Sequence, residues 1–108
     1  MSAVAGEVGG TMPEPPPNSR SLILQLGGQR HTFGADFTVG REGSLAIDDD
    51  FASGQHARFQ TVRGLWYLED LGSTNGTLLN GRHVLSVQLL KKRDKIQIGH
   101  TVMTVVSI

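Results

Sequence analysis

From Ser21 to the end of the chain, apolar residues come in runs too short for helices, and nearly every run ends at a turn residue. The runs are Leu22–Leu26, His31–Phe33, Phe37–Arg41, Leu45–Ile47, His56–Val62, Trp66–Leu71, Thr77–Leu79, Lys95–Ile98 and Thr101–Val106. Between them stand Gly27-Gly28, Gly34, Gly43, Gly64, Asn75-Gly76, Asn80-Gly81 and Gly99-His100. Strands recurring at such spacing with glycine-bearing turns predict an all-β sandwich or barrel. No window holds an i, i+3, i+4, i+7 apolar pattern long enough for a helix, and Val84–Leu90 reads as strand and loop. The 14 Gly and four Pro of the 108 residues fit a chain of many tight turns.

Residues 1–19 differ in kind. They contain all four prolines (Pro13, Pro15, Pro16, Pro17) and no Leu, Ile or aromatic residue. Too little apolar surface is available there to offset ordering entropy, so the stretch reads as a disordered tail, with a polyproline II bias at Pro15-Pro16-Pro17. Pro13-Glu14-Pro15-Pro16 matches the PxxP pattern, but no Arg flanks it closely and a spacer is the plainer reading. Residues 20–108 form the expected domain.

Ten Lys+Arg balance ten Asp+Glu, which argues against a surface that coats a polyanion. Nucleic-acid binding would rest on Lys91-Lys92-Arg93 alone, a run equally suited to a solvated turn. With no Cys, disulfide scaffolds, thiolate metal sites and Cys nucleophiles are excluded. No run reaches the ~20 apolar residues of a membrane span. The expectation is a soluble cytoplasmic monomer, or a nuclear one in a eukaryote, without membrane or nucleic-acid partners.

Catalytic and metal readings are weak. Ser53, His56 and Asp70 are the residue types of a hydrolase triad, but Phe51-Ala52-Ser53-Gly54-Gln55 is not a nucleophile elbow. The four His have no close ligand pair, and Asp48-Asp49-Asp50 lacks calcium-loop spacing; a solvated acidic turn is expected. No cofactor or metal is implied, and no catalytic residue is assigned.

A stronger pattern joins Gly40-Arg41, Ser53-Gly54-Gln55-His56, Ser73-Thr74-Asn75-Gly76-Thr77 and Asn80-Gly81. Were one end of a sandwich to gather these loops, an Arg fork, two hydroxyls and backbone N–H groups would suit a tetrahedral dianion. Such a set captures a phosphate without turning it over.

In order and separation these motifs resemble the forkhead-associated (FHA) domain, over about residues 20–108. The resemblance implies a sandwich of about eleven short, mainly antiparallel strands that binds phosphothreonine peptides through the loops at one end. It implies phosphate contacts from Arg41, Ser53, Thr74 and the Gly54 N–H, and a peptide-backbone contact from Asn75. Gly40, His56, Ser73 and Gly76 would shape the loops, and Asn80-Gly81 would be a plain hairpin turn. The partners implied are phosphothreonine-containing proteins acting below a Ser/Thr protein kinase. A basic or polar side chain is common in this family where Gly54 stands here, so one donor is missing; Arg58 is a candidate substitute or simply an exposed residue. The alternatives are an Arg41 ion pair with Asp48–Asp50, turn-capping roles for Ser53 and Thr74, and a phosphate-independent scaffold using Trp66, Tyr67 or the basic run. Thr11, in the tail, could in principle occupy the site once phosphorylated, but an inert linker is the expectation.

Overall fold

The computed structural model describes residues 20–108, so the reading of residues 1–19 as a tail, Thr11 included, lies outside the described residues. Eleven strands form two sheets: β1 Leu22–Leu26, β2 Gln29–Phe33, β3 Phe37–Gly40, β4 Leu45–Ala46, β5 Ala57–Val62, β6 Leu65–Asp70, β7 Thr77–Leu79, β8 Arg82–His83, β9 Gln88–Leu89, β10 Lys95–Ile98 and β11 Thr101–Ser107. One sheet runs β2-β1-β11-β10-β7-β8 and the other β4-β3-β5-β6-β9. All pairings are antiparallel except β3 with β4. The expected all-β sandwich of short strands is therefore the fold. Among the described residues no helix is long and apolar enough to cross a membrane.

Alternation decides which side chains meet in the core. Leu22 and Leu24 of β1, Ile96 and Ile98 of β10, and Met103 and Val105 of β11 are buried from the first sheet. Phe37, Val39, Phe59, Trp66 and Leu68 meet them from the second. Residues two apart on a strand share a face, so each sheet hands its apolar set inward. Phe37 stacks on Phe59 with ring centroids 4.6 Å apart, and Trp66 lies 6.0 Å from Phe37. Trp66 is thus a core residue, and its indole N–H donates to the Arg20 carbonyl at 2.8 Å. That bond fixes the start of the described chain at the end of the sandwich where β6 begins.

The Val84–Leu90 stretch is strand and loop, as read, with Gln88–Leu89 its strand. The added strand, Arg82–His83, has no apolar alternation; it exists because Asn80, at φ 53°, and Gly81 fold the chain back onto β7. Asn80 is also more than a plain turn residue. Its Nδ2 donates to Asp94 Oδ1 at 2.9 Å and its Oδ1 accepts the Lys95 N–H at 2.9 Å, tying the hairpin to β10.

Candidate phosphate-capture loops

Three connections leave the sandwich at the pole opposite Arg20: residues 41–44 after β3, 47–56 before β5, and 71–76 after β6. Backbone bonds lock the first two. Arg41 N–H donates to Ser53 O at 3.1 Å and Glu42 N–H to Gly54 O at 2.9 Å. This approach leaves no room beside Gly40, where a Cβ would fall under 3.0 Å from the carbonyl oxygens of both Ser53 and Gly54. Any larger residue would push the Arg41 loop off its neighbour.

His56 joins the second and third loops. It is fully buried. Its Nδ1 accepts the Ser53 N–H at 3.0 Å, which puts the ring hydrogen on Nε2, and Nε2–H donates to Gly76 O at 2.8 Å. Gly76 has φ +84°, a left-handed conformation that suits glycine. Both imidazole nitrogens are therefore committed, with no lone pair left to take a proton from Ser53 Oγ. That arrangement is unlike a Ser–His–Asp triad, where the imidazole faces the hydroxyl and a carboxylate orients it.

The third loop is built on Asp70, which the sequence raised only as a member of a rejected hydrolase triad. Ser73 Oγ and Thr77 Oγ1 donate to Asp70 Oδ1 at 2.5 and 2.7 Å, and the Gly72 and Ser73 N–H groups to Oδ2 at 3.0 Å each. Ser73 Oγ in turn accepts the Gly76 N–H at 2.9 Å. Burial pushes the Asp70 carboxyl upward, but donation by Ser73, Thr77 and Gly72 outweighs it and holds the group below the ordinary value of 3.8.

Asp49 is the second hidden carboxylate, and it corrects the expectation of a solvated acidic turn. Asp48 and Asp50 are exposed, whereas Asp49 is buried. It accepts the Thr101 hydroxyl at 2.7 Å, the His100 N–H at 2.8 Å and the Phe51 N–H at 2.9 Å, clamping the β10–β11 turn against the loop that carries Ser53. The Thr101 hydroxyl does most to lower its pKa, against burial, with the Phe51 and His100 N–H groups adding to it. Both carboxyls titrate lower in the folded chain than unfolded. Their stabilisation is thus complete above the ordinary value of 3.8 and is lost as pH falls through their lower folded values. Urea midpoints measured from pH 7 to pH 2.5 are expected to drop in that acid range, and Asp70→Asn is expected to lower the pH 7 midpoint and flatten the drop.

On this frame sit the side chains singled out for phosphate. Arg41 is exposed. Among the described residues the ion pair is Arg58–Glu69 at 2.6 Å, so Arg41 is not engaged with Asp48–Asp50. Ser53 Oγ accepts the Thr74 N–H at 3.1 Å, and its own O–H remains to be donated outward. Thr74 is exposed one residue from Asn75, whose Nδ2 donates to Phe51 O at 2.8 Å and so braces its own loop against the second. Arg41, Ser53, Gly54, Thr74 and Asn75 thus share one pole, with Gly40, His56, Ser73 and Gly76 beneath them. Arg58 is not a spare donor: its cross-strand neighbour Glu69 holds it on the outer face of the second sheet. Two features escaped the sequence. The Glu42 carboxylate would lie 3.4 Å from a Cβ at Gly54, putting a negative charge on the rim. A pocket of about 250 Å³ also opens beside Asn75, walled by Phe51, His83, Gln97 and His100, with the Phe51 and His100 rings 4.3 Å apart.

The chain is similar to known proteins. The FHA domain profile matches residues 32–99. The FHA domain-containing protein FhaB of Mycolicibacterium smegmatis is 40% identical over 91 residues, covering 79% of this chain and 59% of that protein. The oxoglutarate dehydrogenase inhibitor of Corynebacterium diphtheriae is 32% identical over 106 residues, covering 90% of this chain and 71% of that protein. The chain spans 42–59% of the FhaB proteins it matches. Among solved structures, an Arabidopsis thaliana FHA domain superposes with a TM-score of 0.77 at 28% identity, covering 92% of this chain and 95% of that one. The MEK1 FHA domain in complex with a HOP1 phosphothreonine peptide gives 0.71 at 26% identity, covering 79% and 94%. With the profile spanning more than half of its length, the chain belongs to the FHA domain family.

Proposed function

We propose that this chain is a phosphothreonine-dependent interaction module that reads partners of a Ser/Thr kinase through the Arg41, Ser53 and Thr74 loops. One observation carries the reading: Ser53 is bonded through its carbonyl to Arg41 N–H and through its hydroxyl to Thr74 N–H. The three loops are thereby tied together before any ligand arrives, which supports the reading, because preorganisation reduces the ordering cost of binding. Membership of the FHA family and the phosphothreonine peptide bound to the MEK1 relative support it.

In this reading the Arg41 guanidinium takes two phosphate oxygens, Ser53 Oγ–H and Thr74 Oγ1–H donate to others, and the Gly54 N–H supplies a neutral donor. Asn75 uses its remaining amide hydrogen and carbonyl for the peptide backbone. The pocket by Phe51 and His100 takes a neighbouring side chain of the peptide. Charge-assisted hydrogen bonds contribute roughly 1.5–3 kcal/mol each, and three or four, less the association cost, give about −7 to −9 kcal/mol, a micromolar complex. Threonine is preferred over serine because a fitted methyl is worth roughly 1–3 kcal/mol.

An oriented phosphothreonine peptide library, run beside phosphoserine and unphosphorylated sets, tests the reading. Selective retention of the phosphothreonine set supports it, and equal retention of all three supports a phosphate-independent scaffold instead. Two variants follow. Ser53→Ala removes a donor and the acceptor for Thr74 N–H, and is expected to weaken binding by about 1–2 kcal/mol in calorimetry. Glu42→Gln removes a like charge from the rim and is expected to tighten binding by about threefold at low salt, with the gain vanishing at high salt.

A further inference from the structure

The side of the sandwich where both sheets end has a second feature. β8 is the edge of one sheet and β9 the edge of the other, and a groove of about 640 Å³ lies between them. Leu79, Val84 and Leu89 line it together with Arg82, His83 and Lys91, and Asn80, Gln88 and Asp94 complete the lining. Lys92 and Arg93 follow on the same turn, both exposed. The only acid between residues 82 and 95, Asp94, is buried and occupied by Asn80 and the Lys91 N–H. The five cations of that segment against one acid carry a net +4, whereas the other residues of 20–108, with five cations and seven acids, carry −2. Five of the ten Lys and Arg residues thus fall in the segment that borders the groove, and two of them, Arg82 and Lys91, line it.

The groove is not isolated from the loops. His83 lines both it and the small pocket beside Asn75, and its ring lies 3.1 Å from where a Gly76 Cβ would be. One track therefore runs from the Asn75 loop past His83 to Lys91. We propose that this track binds an acidic extended segment of the same partner that presents the phosphothreonine, so that the recognised sequence is a phosphothreonine joined to a run of Asp or Glu. This inference rests on the phosphothreonine reading for the register of the peptide, and on the groove for the acidic run. An extended chain fits because β8 and β9 are both sheet edges, to which a strand can add. Charge complementarity selects its side chains. Nucleic acid fits less well, since apart from His83 the groove has no aromatic ring on which a base could stack.

The test uses calorimetry at low and high salt on the whole chain. The peptides are a phosphothreonine core with a neutral extension, the same core with about six acidic residues placed before or after it, and the acidic peptide unphosphorylated. In one of the two placements the acidic run is expected to strengthen binding by about tenfold at low salt, an increment that shrinks at high salt. Lys91→Glu/Lys92→Glu, and the milder Lys91→Gln/Lys92→Gln, are expected to lose that increment while binding the neutral phosphopeptide like the unaltered chain. These side chains are exposed, and a thermal melt checks that both variants fold. Equal affinity for acidic and neutral extensions overturns the groove assignment and leaves the phosphothreonine reading standing. If no phosphopeptide binds, that reading fails, and the unphosphorylated acidic peptide judges the groove alone: binding that Lys91→Glu/Lys92→Glu removes supports it, and no binding overturns it. A single-stranded oligonucleotide that binds the groove more tightly than the acidic peptide also overturns it.

Discussion

Arg41→Ala is expected to reduce phosphothreonine-peptide affinity by at least ~2 kcal/mol, about thirtyfold, while leaving the melting temperature within about 2 °C of the unaltered chain. The two halves of that expectation come from different atoms. What Arg41 gives the fold is its backbone: its N–H is bonded to Ser53 O, and alanine keeps that bond. What it offers a ligand is its guanidinium, exposed and unpaired with Asp48–Asp50 among the described residues. Removing a planar fork that takes two phosphate oxygens costs more than removing a single hydroxyl, because both bonds are charge-assisted. Arg41→Lys is expected to recover only part of the loss, since an ammonium is a point charge without the fork. Unchanged affinity for Arg41→Ala, with the variant shown folded, would remove Arg41 from the site.

His56→Ala is expected to do the opposite of Arg41→Ala on stability. The ring is fully buried and holds one backbone donor, Ser53 N–H, and one backbone acceptor, Gly76 O, from two separate loops. Alanine leaves both unsatisfied and opens a void, at roughly 1–3 kcal/mol for an unpaired buried group. Two such groups total about 2–6 kcal/mol, which lowers the melting temperature of a domain this size by roughly 10–30 °C. Binding is expected to weaken in the same variant, because Ser53 and the Thr74–Gly76 turn lose their shared brace. Lost binding with an unaltered melting temperature would instead make His56 a direct ligand contact.

The strands were legible because their signal is local: alternation in Leu22–Leu26 or Trp66–Leu71, and turn residues between runs. The loop residues were legible through the order of short motifs, each weak alone. What escaped reading depends on distance along the chain. Asp48, Asp49 and Asp50 look alike in sequence; only the middle one is buried, because Thr101, 52 residues on, donates to it. Arg58 read as a candidate substitute donor or a merely exposed residue until the β5–β6 register set it against Glu69. Glu42 reached the rim of the site only because its loop packs on Gly54. Arg82–His83 lacks apolar residues altogether, so no periodicity could mark it as a strand. Its neighbour β7 and the Asn80-Gly81 turn make it one.

The central claim is that a phosphothreonine seats at the pole held together by Ser53 and His56. It is tested most directly by following backbone amide resonances of the chain during titration with one peptide carrying threonine, phosphoserine or phosphothreonine at the same position. The account predicts saturable shifts at Arg41, Ser53, Gly54, Thr74 and Asn75 with phosphothreonine in the micromolar range, weaker binding with phosphoserine and none with threonine. Equal shifts with the unphosphorylated peptide, or saturable shifts confined to residues outside these three loops, would contradict it.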